Sequence, residues 1–209
     1  MLQNMLETII QRTSCRDFDT TKEVAEEELS LIMSAGQAAP SAKNRQPYYF
    51  VGIINKACRE KIFWAAEEGR KKQFSHLSNE ELESKSFGST GSNDRAIFEA
   101  SAAILVFRAS DKNYSEAKDQ SENLNIKEEQ GVANAAYSMM LQAEYMGLST
   151  AWICSPLYIE REIKQILADY GINCESHWKP RVILPIGYCK NKLEKISREE
   201  LSKKSVIIK

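Results

Sequence analysis

The chain has 209 residues, of which 43% are hydrophobic and 27% are charged, and its formal net charge is -1. This length and composition suffice for one domain with a substantial core. A near-neutral chain does not indicate the basic surface that nucleic-acid binding needs. No apolar stretch approaches the ~20 residues that a membrane-spanning helix requires. We therefore expect a protein that binds neither nucleic acid nor membrane.

The cysteines are odd in number, widely spaced and without a Cys-x-x-Cys pair; they are Cys15, Cys58, Cys154, Cys174 and Cys189. This pattern favours neither disulfides nor a zinc site. Residues 1–14 also lack the basic-then-apolar pattern of a signal peptide. We expect free thiols, no metal site and a cytoplasmic location.

Hydrophobic periodicity predicts helices and strands along the whole chain. In chain order we expect helices over 2–12, 26–37, 56–70, 93–99, 126–147 and 159–170, and strands over 48–54, 102–107, 149–153 and 181–186. The polar stretches 71–92 and 109–125 are expected as a loop or lid and a second insertion. This order predicts an α+β fold, in which helices sandwich a central mixed sheet. Small residues along 126–147 and the charged tail after 187 indicate a dimer.

The first candidate site is the run Arg12-Thr13-Ser14-Cys15-Arg16 at the end of the first helix. Two guanidinium groups and two hydroxyls within five residues can surround a phosphate dianion. The same residues also suit a solvated helix end, where Arg12 would complement the negative end of the helix dipole. Local chemistry alone leaves both interpretations open.

The second candidate is the loop over 39–47, in which Ser41, Asn44 and Gln46 lie between Pro40 and Pro47. Hydroxyl and amide groups on a backbone restrained by proline can read the edge of a flat heterocycle while Pro40 packs on its face. An ordinary helix-to-strand connection has the same composition.

The third candidate is the segment from Trp152 to Pro156, because the end of a strand is a usual place for a ligand. Cys154 is either a nucleophile or a small residue that makes buried or backbone contacts. The two histidines, His76 and His177, lie in no recognisable partner context. The chain also has no glycine-rich dinucleotide motif and no P-loop, and no carboxylate pair suits acid–base work. We therefore assign no catalytic side chain.

Together and in this order, the segments resemble the FMN-dependent nitroreductase family over almost the whole chain. The matching motifs are Arg12-x-Ser14-x-Arg16-x-Phe18, Ala39-Pro40-Ser41-Ala42-x-Asn44-x-Gln46-Pro47, Asn93-x-Arg95 with Glu99-Ala100-Ser101, Gly131 to Gly147-Leu148 with Trp152, and Pro185-Ile186-Gly187-Tyr188. The resemblance implies one domain over 1–209 with a mixed, mainly antiparallel sheet of four to five strands between helices. It also implies a domain-sharing homodimer with FMN at the interface, and a tail over 188–209 that packs on the partner subunit.

The resemblance assigns a set of FMN contacts. In chain order they are Arg12, Thr13, Ser14, Arg16, Pro40, Ser41, Ala42, Asn44, Gln46, Asn93, Cys154, Ser155, Lys195 and Arg198. Arg12 and Ser14 would hold the phosphate, and Arg198, together with Lys195, would close over it from the tail. Thr13 stands where a second arginine is common in the family, which removes one positive charge.

The ring end of FMN would be held by other segments. Arg16 would lie near the ribityl chain and the pyrimidine edge, and Asn93 would hydrogen-bond the pyrimidine ring. The loop over 40–46 would reach the flavin from the partner subunit. The backbone of Cys154 and Ser155 would face flavin N5. A guanidinium near N1 and O2 favours the reduced anion, and the flavin carries the chemistry.

The reaction implied by the resemblance is ping-pong transfer of hydride from NADH or NADPH, through FMN, to a nitroaromatic, quinone-like or related conjugated small molecule. Three alternatives to this reaction stay open. A reductive dehalogenase and a flavin-fragmenting enzyme belong to the same superfamily. A non-catalytic flavin-binding redox protein would share the FMN contacts and oxidise NAD(P)H slowly with every acceptor.

Overall fold

The computed structural model describes residues 5–76, 94–110, 122–191 and 197–208. Six α-helices lie in these ranges: α1 (Met5–Gln11), α2 (Glu26–Gln37), α3 (Lys56–Gln73), α4 (Arg95–Glu99), α5 (Glu122–Tyr145) and α6 (Glu160–Asp169). The strands are β1 (Tyr48–Ile53), β2 (Ala102–Arg108), β3 (Ser149–Thr150) and β4 (Lys179–Gly187). Short 3-10 turns cover Ala42–Asn44, Ser155–Leu157 and Leu201–Lys203.

Local capping sets where the helices beside the sheet begin. The backbone N–H of Ala25 donates to Glu28 Oε2 at 2.9 Å, and three glutamates in the first turn of α2 suit the positive end of its dipole. At the start of α3, Asn55 Oδ1 accepts from the backbone N–H of Cys58 at 3.0 Å. These caps fix the first residues of α2 and, just after β1, of α3.

The four strands form one sheet in the order β1-β2-β4-β3, and all three strand pairs are antiparallel. The central strand β2 is buried from Ala102 to Phe107, because helices cover both of its faces. The expected α+β fold with a mainly antiparallel sheet of four to five strands is confirmed, with four strands in the described chain.

Two hydrophobic cores lie on opposite faces of the sheet. On one face, Leu105 and Ile183 pack with residues of α3, α4 and α6, among them Ile62, Ile97 and Ile163. On the other face, alternate residues of the same strands pack against α2 and α5; they include Ile104, Val106, Leu184, Ile32 and Met139. The alternation follows from the two-residue period of a strand.

Several predicted boundaries were wrong, and each error has a local cause. Helix α3 runs on to Gln73 and α5 begins at Glu122, because exposed polar turns extend a helix without adding an apolar period. The strand predicted over 149–153 ends at Thr150 and continues only as an isolated bridge between Ile153 and Ile183. The remaining parts of the predicted insertions, 77–92 and 111–121, lie outside the described residues.

The expectation of free thiols was wrong at one pair, because Cys15 and Cys189 form a disulfide with Cα atoms 5.9 Å apart. Backbone pairing brings the two segments together: Phe18 and Cys189 form an antiparallel bridge. The backbone N–H of Asp19 also donates to the carbonyl oxygen of Tyr188 at 2.7 Å. A pairing across 174 residues of sequence depends on tertiary structure, which cysteine spacing does not report.

Apolar side chains of α1 are exposed in the single chain. Met5 is 68% exposed and Ile9 is 40% exposed, so the predicted amphipathic helix turns apolar residues outward. At the other end of the chain, Val206, Ile207 and Ile208 are also exposed. Within the described ranges, no helix has both the length and the hydropathy of a membrane span.

Candidate functional site

The Arg12–Arg16 motif leaves the end of α1 and runs along the short strand β3. The backbone N–H of Arg12 still donates to the carbonyl oxygen of Thr8 at 3.0 Å, which closes the last turn of α1. Ser14 then forms a parallel bridge with Thr150, and the Cys15 N–H donates to the Thr150 carbonyl oxygen at 2.9 Å. The motif is therefore fixed to the sheet and is more than a solvated helix end.

A second backbone segment holds the motif from the other side. The backbone N–H of Lys190 donates to the carbonyl oxygen of Asp17 at 2.9 Å. The amide Nδ2 of Asn191 donates to Asp17 Oδ2 at 3.0 Å. The guanidinium-bearing residues stay accessible between these supports, since Arg12 is half-buried and Arg16 is exposed. Two cationic side chains on a rigid backbone suit an anion such as a phosphate.

Beyond β3, the chain enters the 3-10 turn that contains Ser155. The indole N–H of Trp152 donates to Cys154 Sγ at 3.2 Å, and the Leu157 N–H donates to the Cys154 carbonyl oxygen at 3.0 Å. Cys154 is exposed, which excludes a buried role for its side chain and leaves the predicted backbone contact as an expectation. The turn presents Cys154 at the surface, whereas Ser155 beside it is buried, a few residues from the Ser14–Thr150 bridge.

Two buried hydroxyls on this segment lack hydrogen-bond partners within the described chain. They belong to Thr150, which is 2% exposed, and Ser155, which is 3% exposed. Leaving a buried hydroxyl unsatisfied costs about 1–3 kcal/mol, so such groups usually have a partner in the functional state. Sequence reasoning missed Thr150, because nothing in its local motif distinguishes it from any strand threonine.

The loop over 39–47 has a strained backbone, which an ordinary connection does not need. Lys43, Asn44 and Gln46 have positive φ angles of 56°, 53° and 50°. Non-glycine residues in this region cost of order 1–3 kcal/mol each and cluster at ligand sites. The Gln46 N–H donates to Ser41 Oγ at 2.9 Å, which supports the strained turn. The strain favours the ligand-binding interpretation of the loop.

Helix α5 holds this loop in place. A Cβ atom on Gly131 would lie 3.1 Å from Pro47 Cγ and 3.3 Å from Ser41 Cβ, so a larger residue would crowd the loop. Asn134 Nδ2 donates to the carbonyl oxygen of Pro40 at 3.3 Å. The loop thus packs on α5, whereas the Arg12–Arg16 motif packs on β3 and on the segment after β4.

Close packing between α3 and the chain after the 3-10 turn fixes the position of Cys154 and Ser155. A Cβ atom on Gly69 would overlap Ile159 Cγ2 and would lie 3.0 Å from Tyr158 Cδ2. The Tyr158 N–H donates to the Ser155 carbonyl oxygen at 3.1 Å. Burial raises the pKa of Tyr158, so its hydroxyl stays neutral and fills the space beside α3. Neither Gly69 nor Tyr158 was predicted, because their contact joins distant parts of the sequence.

The other predicted contacts vary in exposure. Thr13, Ser41 and Ala42 are half-buried, while Pro40, Asn44, Gln46 and Arg198 are exposed. Asn93 and Lys195 lie outside the described residues. The motif pairs with the edge strand β3 at Thr150, and the Cys154–Ser155 turn follows β3 a few residues later.

The profile of the Nitroreductase family matches residues 9–188. That range is most of the chain and includes the motif, the strained loop and the 3-10 turn. The chain belongs to the Nitroreductase family, which confirms the resemblance found in the sequence.

Bacterial relatives that carry the name NAD(P)H nitroreductase are similar to the chain. The relative from Staphylococcus saprophyticus is 26% identical over 198 residues, which are 90% of this chain and 89% of that protein. The relative from Haemophilus influenzae is 37% identical over 60 residues, which are 29% of this chain and only 27% of that protein. This second match therefore covers a segment rather than a whole protein.

Solved structures share the fold along nearly the full chain. A BluB-like flavoprotein from Clostridium difficile has a TM-score of 0.79 at 22% identity, with 99% of each chain covered. An oxidised iodotyrosine deiodinase bound to FMN and 3-iodo-L-tyrosine has a TM-score of 0.71 at 23% identity, with 99% of this chain and 98% of that chain covered. An NADPH:FMN oxidoreductase from Vibrio harveyi, complexed with NAD+, has a TM-score of 0.72 at 16% identity. It covers 98% of this chain and 77% of the other. At these identities the likeness concerns the fold.

Proposed function

We propose that this member of the nitroreductase family binds FMN and is an NAD(P)H-dependent oxidoreductase. The observation that carries the proposal is that the Arg12–Arg16 motif pairs with the edge strand β3 at Thr150. The hydroxyls of Thr150 and of Ser155, in the 3-10 turn that follows, are buried and have no hydrogen-bond partner within the described chain. Guanidinium groups and backbone N–H groups suit a phosphate, and buried hydroxyls without protein partners suit the polar remainder of a cofactor. The residues present therefore fit FMN.

At the phosphate end, Arg12, Thr13 and Ser14 bind the phosphate in this proposal. Arg198 and Lys195 approach it from the tail. Thr13 contributes a hydroxyl where a second arginine is common in the family, so the charge on Arg12 carries more of the attraction. Because Arg12 is half-buried, its hydrogen bonds to a phosphate are less screened than those of a fully exposed arginine.

At the ring end, Arg16 lies towards the ribityl chain and the pyrimidine edge, and Asn93 hydrogen-bonds that edge. The backbone of Cys154 and Ser155 faces the reactive part of the ring. Residues Pro40, Ser41, Ala42, Asn44 and Gln46 bind from the partner subunit. The strained backbone at Asn44 and Gln46 supports this role, because strain persists where the surrounding structure imposes a functional conformation.

A homodimer follows from this division of the site, and the exposed apolar surface supports it. Met5, Leu141 and Tyr145 help to line a groove of about 430 Å³ between α1, α2 and α5. Exposed apolar surface of this kind marks interaction sites. We propose that the partner covers this groove, and that the tail over 188–209 packs on the partner within a single-domain subunit.

When bound, FMN supplies two-electron hydride transfer from NADH or NADPH to a nitroaromatic, quinone-like or related conjugated acceptor. The protein's part is to bind and orient. Arg16 places positive charge where negative charge develops, and the Tyr158–Gly69 packing keeps the Cys154–Ser155 turn in position. No side-chain nucleophile is required, and the protein acts in the cytoplasm in this proposal.

A second candidate is reductive dehalogenation of a halogenated phenol. It is favoured by the deiodinase structure, which this chain matches over 99% of its own length and 98% of the other. Both candidates share the FMN contacts and differ in the acceptor. The product therefore decides between them.

The first experiment is a visible spectrum of the purified protein with and without added FMN, followed by anaerobic mixing with NADH and NADPH separately. We expect flavin absorbance to co-purify or be gained, and to bleach with at least one donor. A protein that takes up no FMN contradicts the proposal. If the protein binds FMN but neither donor bleaches it, the NAD(P)H-dependent activity is contradicted and only a flavin-binding role is supported.

The second experiment supplies acceptors to the reduced, FMN-loaded protein. A nitroaromatic or quinone that restores the oxidised spectrum within seconds supports the main proposal. Halide release from a halogenated phenol, without comparable turnover of nitroaromatics, supports the dehalogenase. Slow reoxidation with every acceptor indicates the non-catalytic redox protein.

A further inference from the structure

The Cys15–Cys189 pair joins two segments that meet at the proposed phosphate site. Cys15 lies between Ser14 and Arg16, inside the motif itself. Cys189 follows β4, at the point where the chain turns into its C-terminal tail. A bond between the two sulfurs therefore ties the phosphate motif to the start of the tail.

We propose that Cys15 and Cys189 are a reversible dithiol–disulfide pair that controls how firmly the protein retains its FMN phosphate. The effect on FMN rests on the function proposed above, whereas the effect on the motif itself does not. In the disulfide form, the motif is clamped covalently to the residues that lead into the tail. In the dithiol form, hydrogen bonds and the Lys190–Asp17 ion pair connect the two segments without a covalent bond.

The backbone holds the two cysteines close together independently of the bond between them. The N–H of Asp19 donates to the Tyr188 carbonyl oxygen at 2.7 Å, and the N–H of Lys190 donates to the Asp17 carbonyl oxygen at 2.9 Å. These bonds flank Cys189 on its own segment, and their partners Asp17 and Asp19 follow Cys15 within four residues. The resulting Cα separation of 5.9 Å lies in the range that disulfides require. Reduction therefore leaves two thiols still positioned to react with each other.

The exposures of the two residues indicate the order of the exchange. Cys15 is only 1% exposed, whereas Cys189 is half-buried. The Cys189 thiolate attacks a low-molecular-weight disulfide, forms a mixed disulfide and releases one small thiolate. The Cys15 thiolate then attacks Cys189 Sγ and expels the second small thiolate. The pair loses two electrons and two protons, and the small disulfide is reduced to two thiols.

The clamp acts on ligand retention because its two ends carry proposed phosphate contacts. Cys15 is bonded directly to Ser14 and Arg16, and the chain after Cys189 leads to Arg198. Restricting the motif before FMN arrives lowers the ordering cost of binding and slows release. By linkage, bound FMN favours the disulfide by the same factor as the disulfide favours FMN.

The test compares full-length protein equilibrated with oxidised or with reduced glutathione. Peptide mapping should find Cys15 linked to Cys189 only in the oxidised sample. Amide hydrogen exchange over 12–19 should be slower in that sample, even before FMN is added. The FMN dissociation rate should fall on the order of fivefold or more upon oxidation. The Cys189→Ser variant should keep the faster rate in both buffers.

Cys174→Ser is the matched control, because Cys174 is also half-buried but lies outside the motif and the tail. Its FMN dissociation should respond to glutathione as the unaltered protein does. The clamp is overturned if no peptide linking Cys15 to Cys189 is found after oxidation. It is also overturned if amide hydrogen exchange over 12–19 is equal in both states. Equal FMN dissociation rates overturn its control of retention. A protein that binds no FMN but shows the exchange difference refutes the proposed function and supports the clamp.

Discussion

The backbone N–H of Cys15 donates to the carbonyl oxygen of Thr150 at 2.9 Å, so the cationic motif and the edge strand β3 form one surface. The side-chain hydroxyl of the same Thr150 is buried and has no hydrogen-bond partner in the described chain. A residue whose backbone positions the motif thus also carries an unused donor. This relationship makes Thr150 a sharp test of whether the surface binds a polar cofactor.

Thr150→Val removes the unpartnered hydroxyl and keeps the shape of the side chain. We expect the apoprotein to be as stable as before or slightly more stable, because a buried hydroxyl without a partner is a cost. FMN affinity should fall by about 0.5–1.5 kcal/mol if the hydroxyl bonds to the cofactor. Thermal unfolding of the apoprotein and FMN titration measure the two effects separately.

Ser101→Ala is the control for this substitution, because Ser101 Oγ accepts from the backbone N–H of Val24 at 3.1 Å. It should lower stability and leave FMN affinity unchanged, the opposite pattern. Thr150→Val protein that binds FMN as tightly as the unaltered protein would exclude its hydroxyl from the site.

Arg12→Ala tests the phosphate contact directly. A hydrogen bond to a charged group contributes about 1.5–3 kcal/mol, so FMN affinity should fall about tenfold to a hundredfold. The loss should shrink at high salt, because mobile ions screen the charge on Arg12 in the unaltered protein. Fluorescence titration with FMN at two salt concentrations measures both the affinity and its salt dependence.

Arg161→Ala, which removes an exposed arginine on α6, is the matched control and should change neither the affinity nor its salt dependence. Equal affinities for the two variants would contradict a phosphate role for Arg12.

Features that depend on a local sequence pattern could be predicted from the sequence alone. Helix α2 was predicted at the observed residues, because its glutamate-rich first turn and its apolar stripe mark both the start and the buried face. The Arg12–Arg16 motif and the 39–47 loop were identified from composition and order. The family profile over 9–188 confirms the resemblance that rested on them.

Features that depend on tertiary contacts were missed or predicted wrongly. The disulfide joins residues 174 positions apart, and tertiary backbone contacts such as the bridge between Phe18 and Cys189 bring its two cysteines together. The Gly69–Tyr158 contact was also not foreseen, since a helical glycine has many possible causes. The exposure of Cys154 depends on the early end of β3, which periodicity did not show. Each of these features depends on contacts between distant segments that form only when the chain folds.

Gly69→Ala tests the packing that positions the Cys154–Ser155 turn. The added methyl group would overlap Ile159, so the turn must shift away from α3. We expect a lower rate of flavin reduction by NAD(P)H and a changed flavin spectrum, with FMN phosphate binding largely retained. Stopped-flow reduction under anaerobic conditions measures the rate.

Gly36→Ala on α2 is the matched control, because its methyl group would meet the flexible Met139 side chain at 2.8 Å. If both variants reduce flavin at the unaltered rate, the contact does not position the turn.

Ile9→Asp tests whether the exposed face of α1 is a dimer interface. Ile9 lies one turn after Met5, which lines the groove between α1, α2 and α5. A carboxylate buried there without a partner costs more, in each subunit, than the roughly 1–3 kcal/mol of a neutral polar group, and two-fold symmetry applies the cost twice. Analytical ultracentrifugation should show a dimer that dissociates at lower protein concentration. FMN affinity should fall with it, because in the proposed site the 39–47 loop binds FMN from the partner subunit. Trp64→Asp places the same charge on an exposed aromatic residue of α3, which packs on the other face of the sheet, and should leave the dimer intact. An Ile9→Asp protein that remains dimeric at all concentrations, or a monomer that retains full FMN affinity, would refute the shared site.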